Sequence, residues 1–249
     1  MTQDKVVVIT GASAGIGASL AELLGKQGMS VVLVARRKAE LDAVAARCGK
    51  NALAVAADAS IRADVQRVVT TTLERFGRVD VWVNNAGQGI TRMPSQLTDE
   101  DVDHMMRANV MSVLYGMQEV LPHFKERGTG QIINVSSMLG RVPFATFRSA
   151  YCGAKHFMNA LTTTFRAEVQ QTHPDIQVTL VSPGVVRTEF GVNALYGGVD
   201  SRTIPDSQSA EEVAQVIAGV IESRRPDIYT RPGARDRIAG YYASVGLDP

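Results

Sequence analysis

The sequence predicts an α/β fold in three layers, in which a doubly wound parallel sheet carries helices on both faces. Short β-branched segments alternate with longer helical patterns along the whole chain. The short segments are continuously apolar, which is typical of strands that are buried on both faces. No Pro/Gly/Ser-rich linker, charge run or repeat divides the 249 residues, so we expect one domain over 1–249.

The strands are predicted from runs of valine, isoleucine and other apolar residues. The first run, Val6-Val7-Val8-Ile9, is followed by a glycine-rich turn and a helical pattern. Repetition of this order predicts right-handed βαβ units. The predicted strands are 5–10, 30–35, 52–57, 79–84, 131–136, 176–181 and, with a weaker pattern, 227–229.

The helices are predicted from apolar residues at helical spacing, as in the stripe of Leu20, Leu23 and Leu24. Thr98 precedes three acidic residues, which is the pattern of an N-cap with acids in the first turn. The predicted helices are 16–27, 38–48, 61–76, 98–127, 150–172 and 210–223.

The segment 188–209 lacks clear periodicity and contains Gly191, Gly197, Gly198 and Pro205. This composition predicts a long loop with at most a short helix. Long loops in compact domains often cover functional sites, so we expect a substrate loop here.

Composition excludes several classes of protein. The chain is 45% hydrophobic and 20% charged, with 26 basic against 25 acidic residues, which is typical of a globular protein and not of a disordered one. The balanced charge argues against a nucleic-acid partner. The longest charge-free run, 6–21, is rich in glycine and hydroxyl side chains, so we expect no membrane association.

The two cysteines and four histidines are scattered. Cys48 and Cys152 stand alone, without the spacing of a metal site, so no metal is expected. Two isolated thiols favour a cytoplasmic location, although a disulfide between them stays open.

A glycine loop follows the first strand and reads T-G-A-S-A-G-I-G over 10–17. Glycines at this place permit a tight turn and bring backbone N–H groups close to a pyrophosphate at the helix N-terminus. We therefore predict a dinucleotide site that includes Gly11, Ser13, Gly15, Ile16 and Gly17. The alternative is a small-residue helix start without a ligand.

The end of the second strand favours NADP(H) over NAD(H). An acidic residue there would bind the ribose 2′-hydroxyl of NAD, but Ala35 occupies the place. Arg36 and Arg37 follow, and guanidinium groups suit a 2′-phosphate. The alternative is that both arginines are solvated helix-start residues.

Tyr151 and Lys155 are four residues apart, which places them on one face of a helix. A lysine cation lowers the pKa of a nearby phenol, so this pair predicts a tyrosine that acts as acid and base. Ser136 and Ser137 end a strand upstream, at the edge where doubly wound folds bind ligands.

These motifs, taken together and in order, resemble the short-chain dehydrogenase/reductase family over essentially the full chain. The matching residues are 10–17, Asp58, Asn84 to Gly87, Asn109, Ser137, 151–155, Pro183-Gly184 and Thr188. The resemblance implies a Rossmann-like fold with strand order 3-2-1-4-5-6-7. It also implies hydride transfer between a nicotinamide and a carbonyl or alcohol carbon.

The resemblance assigns four catalytic residues. Tyr151 would be the acid/base, Lys155 would lower the pKa of Tyr151 and bind the nicotinamide ribose, and Ser137 would hydrogen-bond the substrate oxygen. Ser137 is preferred to Ser136 because Gly140 follows it by three residues. Asn109 would hold a water that links Lys155 to a proton relay; alternatively it marks a helix surface or kink.

The resemblance also extends the set of cofactor contacts. Asp58 would meet the adenine and Thr188 the carboxamide, and Tyr151 and Lys155 would contribute as well. The remaining positions are Ala59, Asn85, Ala86, Gly87, Pro183, Gly184 and Val186.

Three features of the sequence bear on the assignment within the family. Ala14 stands where many NADP-dependent relatives have arginine or lysine, so the NADP(H) prediction depends on Arg36 and Arg37. The Y-x-x-x-K spacing differs from that of enoyl reductases. The chain length and the T-G-x-x-x-G-x-G loop favour the oxidoreductase branch over the epimerases and dehydratases.

The predicted substrate loops are mostly apolar, which favours a hydrophobic ketone or secondary alcohol. Besides Ser137 and Tyr151, we expect Leu139, Phe144 and Phe190 to contact it, although such aromatics could also be core residues. Arg141 and Arg148 lie nearby and could meet an acyl carrier's phosphate or carboxylate, or be solvated.

We therefore predict an NADP(H)-dependent carbonyl reductase or alcohol dehydrogenase. The alternatives are a 3-oxoacyl-thioester reductase and a non-catalytic NADP(H)-sensing regulator. The resemblance implies a homotetramer or homodimer, with the helices at 98–127 and 150–172 at the interface.

Overall fold

The computed structural model describes residues 4–245. The strands of its parallel sheet are β1 Val6–Thr10, β2 Ser30–Ala35, β3 Ala52–Ala56, β4 Val81–Asn84, β5 Gly130–Val135, β6 Ile176–Ser182 and β7 Asp227–Tyr229. These seven strands lie in the order β3-β2-β1-β4-β5-β6-β7, which confirms the predicted fold class and strand order.

Helices cover both faces of the sheet. The helices are α1 Gly15–Lys26, α2 Lys38–Cys48, α3 Arg62–Phe76, α4 Asp99–Met106, α5 Ser112–Arg127, α6 Ser149–Thr172, α7 Ala210–Ser223 and α8 Ala234–Ser244. Alternate strand residues point to opposite faces, so Val7 and Ile9 join the core under α1, α2 and α7, whereas Val6 and Val8 join the core under α3, α5 and α6.

The predicted helix over 98–127 is divided in the structure. Thr98 caps α4 as expected, because its hydroxyl accepts from Asp101 N at 3.3 Å and the Asp101 carboxylate accepts from Thr98 N at 3.0 Å. Between α4 and α5, Arg107–Met111 forms a π-helical turn. The axis therefore continues, but the wider turn places Asn109 in a buried position.

The segment 188–209 is a loop, as expected, with one 3₁₀ turn at Ser201–Thr203. In contrast, α8 is absent from the sequence prediction. Its weak pattern explains this, since Ala234 is the one buried residue of that helix.

The carboxyl ends of the strands meet at one edge of the sheet. The chain passes outward from β1 through β2 to β3 and then returns to place β4 beside β1. Ligands bind to open α/β sheets at such a switch point. The glycine loop and the loops after β4, β5 and β6 converge there.

Within 4–245, no helix is both long enough and apolar enough to cross a membrane. The same part of the chain brings together no group of three or more His, Cys, Asp or Glu side chains suited to a metal ion. Cys48 and Cys152 are both buried and free.

Candidate active site

A cleft of about 1740 Å³ runs along the carboxyl edge of the sheet. Apart from Gly17 and Asn109, which lie behind its wall, all the predicted site residues line it. They are Gly11, Ser13, Gly15, Ile16, Arg36, Arg37, Asp58, Ala59, Asn85, Ala86, Gly87, Ser137, Leu139, Phe144, Tyr151, Lys155, Pro183, Gly184, Val186, Thr188 and Phe190.

The glycine loop has the backbone shape that its sequence predicts. Gly11 has a φ of 68° and Gly15 a φ of 56°, in the left-handed region that favours glycine. A Cβ on Gly17 would collide with the carbonyl oxygen of Gly11. The N-cap of α1, Ala14, makes no side-chain hydrogen bond, and the first turn has no acidic residue. The positive end of α1 therefore faces the cleft, which fits a pyrophosphate.

Thr10 joins the glycine loop to the loop after β4. Its hydroxyl accepts from the backbone N–H groups of Asn85 and Ala86, each at 3.0 Å, and Asn85 Nδ2 donates back to the carbonyl of Thr10 at 3.0 Å. The sequence analysis includes Thr10 only as part of the glycine motif. It does not predict that Thr10 positions the loop after β4.

The far end of the cleft brings two arginines together with Ser13. Arg37 Nη2 donates to Ser13 Oγ at 3.1 Å. Arg36 Nη1 lies 3.9 Å from Asp58 Oδ2, and the Arg36 side chain is 70% exposed. The donors of both guanidinium groups are thus positioned at the end of β2, where Ala35 leaves room for an anion.

Tyr151 and Lys155 are buried on one face of α6, with exposed fractions of 6% and 3%. Burial raises the pKa of Tyr151 to about 12, and the Ser137 hydroxyl and the Arg148 charge lower it in part. Burial also lowers the pKa of Lys155 to about 8. The net direction for Tyr151 is therefore opposite to the predicted lowering, and Lys155 is not among the groups that shift the Tyr151 pKa in this structure. Lys155 Nζ lies 5.7 Å from the ring centroid and donates to the Val135 carbonyl at 3.0 Å.

The two serines after β5 have different partners. Ser136 Oγ donates to Asn159 Oδ1 at 2.5 Å, and Asn159 Nδ2 donates to the Gly140 carbonyl at 2.7 Å. Ser137 Oγ accepts from Leu139 N at 3.1 Å, which leaves its own proton available. The geometry thus favours Ser137 over Ser136 as a donor to a ligand. Asn159, which holds Ser136 and Gly140, was missed because nothing in the motifs indicates it.

Asn109 stabilises the loop after β4. Its Nδ2 donates to the carbonyls of Gln88 at 2.9 Å and Met105 at 3.1 Å, and its Oδ1 accepts from Gln88 N at 3.2 Å. A Cβ on Gly87 would lie 2.8 Å from Asn109 Oδ1 and 3.6 Å from Lys155 Nζ. Gly87 therefore separates the asparagine from the lysine.

The loop 188–209 closes one side of the cleft. The ring of Phe190 lies 5.6 Å from that of Tyr151, and a Cβ on Gly15 would lie 3.1 Å from Thr188 Cγ2. Phe144 is half exposed and packs edge-on against Tyr241 of α8, with ring centroids 5.5 Å apart. The contribution of α8 was missed together with the helix.

A doubly wound sheet with a glycine cradle at its switch point and a buried tyrosine–lysine pair defines a dinucleotide-binding α/β protein. The family model for short chain dehydrogenase matches residues 5–195. The chain belongs to this family of oxidoreductases.

The similar proteins agree with this assignment. An uncharacterized oxidoreductase of Staphylococcus saprophyticus is 36% identical over 189 residues, which cover 76% of each chain. A short-chain dehydrogenase from Sphingobium yanoikuyae in complex with NADPH has a TM-score of 0.81 at 31% identity and covers 96% of this chain and 94% of its own. A 3-ketoacyl-(acyl-carrier-protein) reductase from Brucella melitensis with NADH has a TM-score of 0.82 at 30% identity, with coverages of 92% and 98%.

Proposed function

We propose that this oxidoreductase uses NADP(H) to interconvert a hydrophobic ketone and its secondary alcohol. One observation carries the proposal: Ser137, Tyr151 and Lys155 line the same cleft as the glycine cradle. The cradle fits a dinucleotide because Gly11 and Gly15 have a positive φ and the uncapped N-terminus of α1 leaves its backbone N–H groups available to a pyrophosphate.

A bound nicotinamide would supply the hydride for reduction or accept it for oxidation. During reduction Tyr151 donates its phenolic proton to the substrate oxygen, which takes the electron pair of the C=O π bond. During oxidation Tyr151 accepts the hydroxyl proton. Ser137 donates a hydrogen bond to the same oxygen, which stabilises its developing negative charge.

Lys155 supports the proton transfer electrostatically and reaches toward the cofactor ribose. Its charge favours the phenolate that Tyr151 becomes after giving up a proton. Asn109 acts behind this pair as a positioning residue, because it holds the Gln88 backbone at the cleft. A water held there would continue the proton path to Lys155.

Preference for NADP(H) is supported by Arg36, Arg37 and Ser13. The hydrogen bond between Arg37 and Ser13 places two donors at the end of β2. A 2′-phosphate offers oxygens that suit a guanidinium better than a ribose hydroxyl does.

The substrate side of the cleft is apolar. Leu139, Phe144 and Phe190 line it, which favours a hydrophobic group next to the reacting carbonyl. A 3-oxoacyl thioester is the second candidate, because the Brucella melitensis protein of similar structure is a 3-ketoacyl reductase.

NADPH absorbance, followed across a panel of aryl ketones, aliphatic ketones and acetoacetyl-CoA, tests these proposals. We expect turnover that Tyr151→Phe lowers by about 10²–10⁴-fold, because the general acid is lost. NADPH affinity should change little. NADPH binding with no turnover in any arm would instead support a regulatory sensor.

We propose further that the whole chain acts as one domain, in the cytoplasm, as a homodimer or homotetramer. Two buried free thiols support a reducing compartment. Phe157 of α6 is 53% exposed and Val102 of α4 is 45% exposed, which supports an interface on these helices. Light scattering of the purified protein would test the assembly, and a monomer would contradict it.

A further inference from the structure

Arg148 is a buried cation at the substrate end of the cleft. It directly precedes α6 and lies three residues before Tyr151, and the residue is 9% exposed. Its Nη1 donates to the Ile90 carbonyl at 3.2 Å. Between residues 4 and 245 it forms no ion pair with a carboxylate. Most of its donors are therefore without a protein acceptor.

The surroundings of Arg148 contain further unpaired donors. In the described part of the chain, Thr91 Oγ1 and Ser149 Oγ are the buried side-chain polar atoms without a hydrogen-bond partner. Ser149 directly follows Arg148. A Cβ on Gly198 would lie 2.7 Å from Thr91 Oγ1, 2.7 Å from the Gly191 carbonyl oxygen and 3.1 Å from Arg148 Nη2, so the hydroxyl and the guanidinium both lie against the loop 188–209.

The local electrostatics also favour an anion. The N-terminus of α6, a helix of 24 residues, begins next to the guanidinium and adds its positive dipole end. Arg148 is the buried arginine of the cleft. Arg202, which also lines the cleft, pairs with Asp200 at 2.8 Å, and Arg107, Arg187, Arg231 and Arg237, which have no carboxylate partner among the described residues, are less buried. A buried cation without such a partner is unfavourable unless a ligand brings the negative charge.

We propose that Arg148, which lines the cleft, binds a carboxylate of the substrate. Building on the proposed function, this narrows the substrate to a hydrophobic oxo acid and the corresponding hydroxy acid. In the reduction the carbonyl carbon gains the hydride and its oxygen gains the Tyr151 proton. The carboxylate is unchanged and serves only for binding and orientation. Phe190, which contacts Tyr151, would pack on the apolar part.

Matched acid and ester substrates test the proposal. Phenyl-substituted oxo acids with one, two or three carbons between carbonyl and carboxylate are compared with their methyl esters, with saturating NADPH. The wild type should prefer the best acid to its ester, and Arg148→Gln should lower kcat/KM for that acid by about 10–150-fold, the range for loss of a charge-assisted hydrogen bond. The ester should change by less than about threefold, a difference below 1 kcal/mol.

Two controls separate recognition from loop support. Arg202→Gln removes an exposed, paired arginine of the loop 188–209 and should leave the acid preference intact. Arg148→Lys keeps a positive charge and should retain part of the preference for the acid over the ester. If Arg148→Gln lowered kcat/KM equally for the acid and the ester, Arg148 would only hold the loop against Ile90, and the proposal would be overturned. A wild-type enzyme that does not prefer the acid to the ester would also overturn it.

Calorimetry tests carboxylate binding independently of the proposed ketone reduction. The wild type with NADPH is titrated with 4-phenylbutanoate and with 4-phenylbutanamide. Selective binding of the carboxylate supports the anion site even if no ketone is turned over. Equal affinity for both, or binding of neither, overturns it, whatever the enzyme reduces. This wild-type comparison also decides the matter if the Arg148 variants do not fold.

Discussion

Arg36 holds an unusually exposed positive charge at the cofactor end of the cleft, with Asp58 no closer than 3.9 Å. We expect Arg36→Asp to weaken NADPH binding by about 10–100-fold, because charge-assisted hydrogen bonds contribute about 1.5–3 kcal/mol. NADH binding should change by less than about threefold, since NADH lacks the 2′-phosphate. Fluorescence titration with both cofactors measures this.

Arg62→Asp provides the matched control for Arg36. Arg62 is also a surface arginine paired with one carboxylate, that of Glu119, but it does not line the cleft. The Arg62→Asp variant should leave the affinities for NADPH and NADH unchanged. Equal losses for NADPH and NADH in Arg36→Asp would refute the 2′-phosphate role.

Lys155 sets the expected pH dependence of ketone reduction. Burial lowers its pKa to about 8, so the ammonium is present below that pH and is lost as the pH rises through it. Tyr151, with a pKa of about 12, keeps its proton throughout this range. We expect kcat/KM for reduction to be level below pH 8 and to fall about tenfold per pH unit above it, as for loss of one proton.

The variant Lys155→Arg identifies the group that titrates. A guanidinium stays charged across this range, so the residual activity of the variant should show no break near pH 8. A break that persists in Lys155→Arg would assign the titration to another group.

For single residues, the sequence predicts positions that belong to a local motif, but it does not predict those that are defined by contacts with distant parts of the chain. The i to i+4 spacing of Tyr151 and Lys155 and the glycines of the loop specify their own geometry. Asn159 bonds to Ser136, which lies 23 residues away, and no local pattern encodes that contact. The pKa of Tyr151 is raised, and not lowered as the motif predicts, because burial is a property of the whole fold and outweighs the Ser137 hydroxyl and the Arg148 charge.

Among the elements, the loop 188–209 is tied to α4 through Tyr196. The Tyr196 hydroxyl donates to Asp101 Oδ1 at 2.8 Å and accepts from Arg92 Nη1 at 2.7 Å, and the Arg92 guanidinium lies 4.5 Å from the ring centroid. Asp101 belongs to the capping box of α4. The loop is thus tied to a helix that approaches from the other side of the cleft.

We expect Tyr196→Phe to loosen this loop without unfolding the protein. Loss of the two hydrogen bonds at a partly exposed site should lower the free energy of unfolding by about 1–2 kcal/mol. Trypsin should cut the loop several-fold faster at Arg202, whose side chain is 51% exposed. The measurement is the rate of appearance of the two fragments, with and without NADPH.

Tyr242→Phe serves as the control for Tyr196. Its hydroxyl donates to the Arg141 carbonyl at 2.6 Å, at the other side of the substrate end. This variant should leave cleavage at Arg202 unchanged. Unchanged cleavage in Tyr196→Phe would show that Phe190 and the backbone pairing of Ile90 with Leu195 are sufficient to hold the loop.

Elements were predictable where their apolar pattern is strong. The strands of a parallel sheet are apolar on both faces, so their positions are clear from the sequence. The helix α8 buries only Ala234, and its role is to bring Tyr241 against Phe144. The π-helical turn at Arg107–Met111 could not be predicted from the spacing of apolar residues, because one added residue in a turn changes that spacing very little.

For the whole molecule, the cleft is assembled from segments that are far apart in the chain. Gly11, Asn85, Ser137 and Thr188 all line it, so a site of this shape exists only in the folded state. A ligand that binds only the folded state raises the free energy of unfolding by RT ln(1 + [L]/Kd).

We therefore expect NADPH at 100 times its Kd to stabilise the protein by about 2.7 kcal/mol. For a chain of this length that corresponds to a rise in Tm of roughly 5–11 °C, measured by differential scanning fluorimetry.

Adenosine 2′,5′-bisphosphate at the same concentration should give a smaller rise, because it reaches Arg36 and Arg37 but not Thr188 or Lys155. Tyr151→Phe should keep the full NADPH effect, since the hydroxyl serves proton transfer rather than binding. If the bisphosphate stabilised the protein as strongly as NADPH, the nicotinamide half of the cofactor would contribute nothing to binding, and the placement of the reacting ring beside Tyr151 would be wrong.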